Sequence, residues 1–185
     1  MTVPYHPQGI RFGAAYYLEY QPDKDVDRDL DLMQAAGFTV IRVGESVWST
    51  WEPSDGVFDL DWLQPVLDGA HRRGIGVILG TPTYAAPPWL AHAYPEIAGE
   101  VKTGQRYPWG ARQEIDITHP AFLFHAERVS RKIVARYADH PAVIGYQVDN
   151  EPGVFPLHNR GTFIKFLRWL KARYGTVEKL NEEWG

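Results

Sequence analysis

The chain has 185 residues, 44% hydrophobic and 23% charged, which is an ordinary globular composition for one domain or an incomplete piece of a larger one. A net charge of −4 without any run of Lys or Arg argues against a nucleic-acid surface, and the absence of cysteine excludes disulfides, cysteine-bound zinc and a thiol nucleophile. No apolar run approaches the roughly 20 residues of a membrane span, and Met1–Arg11 carries no charged region followed by an apolar one, so the expectation is a cytoplasmic protein with no membrane partner.

The first predicted strand is Phe12–Tyr17, a short apolar and aromatic run. Val26, Leu30 and Met33 then recur at helical spacing up to Gly37. Thr39–Val43, rich in β-branched residues, is the second strand. A helical stripe of Leu63, Val66, Leu67 and Ala70 follows, ending at Gly74. Val77–Thr81 is the third strand, and the long connection from Tyr84 to His119 is rich in Pro, Gly and Trp. Phe122, Ala126, Val129, Ile133 and Tyr137 form the third helix, Val143–Val148 the fourth strand, and Phe163, Phe166, Leu167, Leu170 and Tyr174 the fourth helix, closed by Gly175. A small helix over Leu180–Gly185 ends the chain. Near-continuous apolar strands separated by helices imply a parallel sheet covered on both faces, either doubly wound or part of a (β/α)8 barrel. A barrel typically needs about 250 residues, and four βα units are half of one.

Aromatic residues make up 14% of the chain, seven of them Trp and ten Tyr. They serve either a large core or a sugar site, because aromatic rings pack on the apolar faces of pyranoses. Trp48, Trp89 and Trp109 are the candidates, with core packing the competing use for each.

The segment His140–Gly153 carries the chemistry: an apolar strand runs into Asp149, Asn150 and Glu151 and is stopped by Pro152. Glycoside hydrolysis needs a carboxylic acid that protonates a leaving oxygen and later deprotonates water, and polar donors for the sugar 2-hydroxyl. Glu151 and Asn150 at a strand's C-terminal mouth suit those roles; the plain alternative is a polar start to a loop. Glu45, after the second strand, reads as a structural ion pair with Arg42, and Arg112 as either a sugar-binding guanidinium or a surface arginine. His92 and Glu96 stand four apart, but Pro95 breaks the helix that would align them as metal ligands. No phosphate-binding loop, nucleophile elbow or zincin helix occurs.

A fourth strand ending in Asn-Glu resembles the retaining (β/α)8 glycosidases, and further segments resemble glycoside hydrolase family 42, the β-galactosidases. These are Phe12–Tyr17 with Glu19 and Pro22; Ile41–Glu45 with Trp48, Glu52, Pro53, Gly56 and Phe58; Thr81–Thr83 with Pro87–Leu90 and Tyr94–Glu96; and Gly110–Arg112. The resemblance implies a barrel of which residues 1–185 are the N-terminal half, with Glu151 as proton donor and acid/base and with Arg112 and Asn150 as sugar-binding residues. It also implies a galactoside substrate, no cofactor, and a family habit of forming trimers. Some members hold zinc through cysteines, one of them four residues after that arginine; here Asp116 stands there, so no metal is expected. Ser46 and Gln113 also depart from the pattern, which affects substrate preference rather than class.

The retaining route needs a second carboxylate, which the resemblance puts on a seventh strand. After Glu151 the only acids are Glu178, Glu182 and Glu183, all in the terminal helical stretch. The expectation is therefore the acid/base half of an enzyme, inactive alone and completed by a C-terminal half or assembled as an oligomer. A non-catalytic sugar-binding half-barrel and a complete small α/β protein are the competing readings.

Overall fold

A computed structural model describes residues 9–110, 115–152 and 157–185. Four parallel strands lie in chain order, β1 (Gly13–Ala15), β2 (Val40–Val43), β3 (Gly76–Gly80) and β4 (Val143–Gln147). The helices are α1 (Val26–Ala35), α2 (Trp48–Trp51), α3 (Gln64–Arg72), α4 (Pro88–Ala93), α5 (Pro120–Tyr137), α6 (Arg160–Tyr174) and α7 (Val177–Trp184). Parallel pairing of consecutive strands through crossover helices is the order of a barrel wall, as expected from the alternation of elements. α1 and α3 both end in a Schellman turn. Phe38 N–H bonds to Met33 O at 2.9 Å and Ile75 N–H to Ala70 O at 2.9 Å, around glycines at φ 82° and 69°.

The two faces of the sheet differ. Ile41, Val43, Val77 and Leu79 point to one side and are buried against Leu30 of α1, Val66, Leu67 and Ala70 of α3, and Val129, Ile133 and Tyr137 of α5. On the other side the row Ala15, Arg42, Ile78 and Gly145 is only half-buried. The expected cover on both faces is thus present on one. α6 departs further. Its predicted stripe forms a helix, but none of its residues is buried, and Phe163, Phe166 and Leu167 are 57%, 44% and 47% exposed. Its chief packing neighbour is α7. An apolar helical stripe without a facing partner is the packing expected of a repeat whose next unit is missing.

Part of the aromatic surplus goes into the core. Trp48 and Trp51 have no exposure, and Trp51 meets Trp62 edge-on at 4.9 Å while its indole N–H bonds to Gly44 O at 3.0 Å. The turn after α2 is anchored by Glu52, a fully buried carboxylate that accepts from Trp48 Nε1 at 3.0 Å and Gly56 N at 2.9 Å. Arg128 of α5 pairs with the same carboxylate, reaches Asp55 at 2.6 Å, and lies over the rings of Phe58, Trp89 and Phe124. Trp89 is tied to this turn through its Nε1 bond to Glu52 O. α4 stops at Ala93 and a 3₁₀ turn begins at Pro95, so His92 and Glu96 share no helix.

Candidate active site

The C-terminal ends of the four strands gather the polar residues. After β2 the chain turns at Gly44 and buries Glu45, whose Oε1 accepts from Tyr17 OH at 2.6 Å and pairs with Arg42 at 2.9 Å. The expected Glu45–Arg42 ion pair therefore exists, and Arg42 also donates to Tyr17 OH at 2.9 Å. Burial pushes the Tyr17 phenol up, with its bond to Glu45 as the next cause. Burial likewise raises the Glu19 carboxyl, with the charge of Glu45 adding to it. β3 admits this arrangement because Gly80 has no side chain: a Cβ there would stand 2.3 Å from Glu45 Cβ.

Gly80 is also the register partner of Gln147, so this row joins β3 to β4, with Glu45 of the turn after β2 lying against Gly80. Past that row Thr81 joins β3 to β4, its N–H bonding to Gln147 O and its hydroxyl to Val148 O, both at 2.9 Å. Gln147 Nε2 donates to Asp149 O at 2.8 Å and to Asn150 Oδ1 at 3.1 Å. Asn150 is 8% exposed, with its N–H on Asp149 Oδ1. Glu151, next along, is exposed and has φ 49°, the only positive value at a non-glycine among the described residues. A left-handed non-glycine backbone costs on the order of 1–2 kcal/mol and clusters at functional sites. Asn150 and Glu151 thus share the mouth of β4; Arg112 lies outside the described residues.

The long β3–α5 connection is stitched to the start of α6, immediately downstream of this mouth. Asn159 accepts from Glu100 N and donates to Ala98 O, both at 2.9 Å. Buried Asp116 accepts at one oxygen from Thr118 N, Thr118 Oγ1 and Thr162 Oγ1 at 2.7 to 3.0 Å. Asp116 stands where some family members have a zinc-binding cysteine; the chain has no cysteine, and the Oδ1 of Asp116 is engaged by these three donors, so the residues here do not fit a cysteine-held zinc. Among the described residues no cluster of three His, Asp or Glu is arranged to hold a metal. A cavity of about 470 Å³ opens beside the seam, lined by Tyr84, Asp116, Phe122, Asp149, Pro152 and Thr162. Of the three tryptophans considered for a sugar pocket, Trp48 is core, Trp89 holds the Glu52 turn, and Trp109 remains 54% exposed with its N–H on Ala86 O. The sequence does not announce Tyr17 as a partner of Glu45 or Gln147 as a partner of Asn150; only their places, two residues beyond Ala15 of β1 and at the last residue of β4, hint at either.

The fold and its polar strand ends define one wall of a βα-barrel, with an Asn-Glu pair at the mouth of the fourth strand. The chain belongs to glycoside hydrolase family 42, whose profile, described as beta-galactosidase, matches residues 15–185. It is 37% identical over 181 residues to beta-galactosidase BgaB of a Geobacillus species, covering 95% of this chain and 26% of that protein. Beta-galactosidase BgaA of a Thermus species is 38% identical, with 94% of this chain and 27% of the relative covered. The structure of the polyextremophilic beta-galactosidase from Halorubrum lacusprofundi superposes with a TM-score of 0.88 at 33% identity, over 95% of this chain and 27% of that one. The chain therefore spans about a quarter of the length of the relatives it matches. No helix among the described residues is long and apolar enough to cross a membrane.

Proposed function

We propose that residues 1–185 form the first four βα units of a retaining β-galactosidase barrel and carry its acid/base. The observation that carries the reading is Glu151, held in a left-handed conformation at the end of β4 beside buried Asn150. In this reading Glu151 first protonates the glycosidic oxygen and then, as carboxylate, deprotonates the water that releases the sugar. Asn150 and Arg112 bind the galactosyl hydroxyls, and the attacking carboxylate comes from outside this chain, since Glu178, Glu182 and Glu183 belong to α7. The half-open sheet and the uncovered stripe of α6 support a partner that completes the barrel, supplied as a C-terminal half or within an oligomer.

The experiment assays the 185-residue chain on an aryl β-galactoside, alone and with a C-terminal half expressed separately. Turnover is expected only with both parts and is expected to fall on Glu151→Gln. Turnover by the chain alone, lost on Glu151→Gln, would require a second carboxylate within it and overturn the reading. Galactoside binding without turnover in the completed protein would favour a sugar-binding half-barrel instead.

A further inference from the structure

We propose that Gln147 orients the Asn150 amide and so fixes which of its ends faces the substrate; this rests on reading the β4 mouth as a glycosidase site. The main-chain oxygen of Asp149 only accepts hydrogen bonds, so the Gln147 atom 2.8 Å from it is the donor Nε2. That same nitrogen lies 3.1 Å from one end of the Asn150 amide, which must then be the acceptor Oδ1. The other end of Asn150 is thereby Nδ2, a donor. An asparagine amide has nearly isosteric ends, and only a partner of fixed polarity distinguishes them. Here the polarity originates in a backbone carbonyl, which cannot be reversed, and reaches Asn150 through one side chain.

Two observations mark Gln147 as present for its donor. Its Oε1 is buried and has no hydrogen-bond partner among the described residues, a desolvation penalty that an apolar side chain would avoid. Its register partner is Gly80, so the position beside it in the sheet carries no side chain to pack against. A glutamine kept under those conditions acts through its NH₂ group, on the Asp149 carbonyl and on the Asn150 amide oxygen. The ligand class follows: a donor at Asn150 suits a sugar hydroxyl that accepts from it and keeps its own proton for another partner, whereas a carbonyl there would claim that proton.

The test compares Gln147→Glu and Gln147→Met in the protein completed with its C-terminal half. An ionised glutamate has no donor, so the Asn150 amide turns its NH₂ inward and presents oxygen to the sugar. The expected result for Gln147→Glu at pH 7 is a loss in kcat/KM of about 10²-fold, carried mainly by kcat because the contact strengthens in the transition state. The loss should shrink as pH falls and the new carboxyl regains a proton to donate, while Gln147→Met shows no such recovery. Loss confined to thermal stability, or a Gln147→Glu enzyme that keeps the wild-type pH profile, overturns the proposal. Should the completed wild-type protein not hydrolyse galactosides, the functional reading fails separately, and side-chain amide hydrogen exchange in the 185-residue chain decides the orientation. Slow exchange at Gln147, from two acceptors, is expected, and exchange at the rate of an exposed glutamine refutes it.

Discussion

Replacing Arg128 by methionine separates the packing of α5 from its electrostatics. Methionine keeps an unbranched stem among Phe58, Trp89 and Phe124 but removes the charge that faces Glu52. Glu52 has no exposure, and its other bonds come from Trp48 Nε1 and Gly56 N, both neutral donors. Leaving a buried carboxylate without its cation costs about 3–5 kcal/mol. Asp55 loses the same partner but is 61% exposed, so water replaces most of what it loses. Glu52→Gln alone removes the charge and disturbs those bonds, at about 1–3 kcal/mol. In the double variant no buried unpaired charge remains, so its cost should fall short of the sum of the singles by at least about 1 kcal/mol. With a urea dependence of about 1–3 kcal/mol per molar, Arg128→Met lowers the unfolding midpoint by roughly 1–5 M. Tryptophan emission reads this directly, because Trp48 and Trp51 are buried beside the pair. Additive losses would refute the claim that Arg128 neutralises Glu52.

Four further outcomes are expected. Gly80→Ala places a Cβ 2.7 Å from the Glu45 backbone, so it should destabilise the chain by about 1–3 kcal/mol or more and break the Tyr17–Glu45 bond, read by urea unfolding and tyrosine titration. His125 is buried and its imidazole is held below its ordinary range, by burial first and by Arg128 second. The unfolded chain therefore binds the proton more readily, and stability should fall as pH drops below about 6.5, a slope that His125→Phe flattens in pH-dependent melts. In the completed protein Glu151→Gln should slow poorly activated galactosides more than aryl ones, since a good leaving group needs little of the acid's typical 10²–10⁴-fold contribution; equal losses would contradict the acid role. Activity of the completed protein should survive EDTA, and a loss restored by zinc would show the Asp116 region misread.

Elements whose stability is local were legible in the sequence. The β-branched centre of β2 and the apolar stripes of α3 and α5 carry their own periodicity, and Gly37 and Gly74 mark the ends of α1 and α3 because a left-handed residue closes those turns. α2 was not legible, because four residues between Val47 and Glu52 have no period and are held by Glu52 and Gly44 from outside the helix. The stripe of α6 announced a helix but not its exposure, since periodicity reports an apolar face and not whether anything covers it. In the candidate site, strand-end position pointed to Asn150 and Glu151. The Gln147 and Tyr17 bonds depend on register between strands, which one strand's sequence does not encode. Nor does a residue preceding proline advertise a positive φ, as Glu151 has.

That backbone conformation gives position 151 an unusual mutational signature. Glycine there would relieve a left-handed penalty on the order of 1–2 kcal/mol while adding about half of it back as unfolded-state entropy. In a library of single substitutions sorted by cellular abundance, Glu151→Gly would then rank at or above the parent, and in the same library sorted by turnover it would rank among the dead. The place where those two rankings diverge most would locate the chemistry without any substrate analogue, so that a map of abundance alone holds the active site in negative.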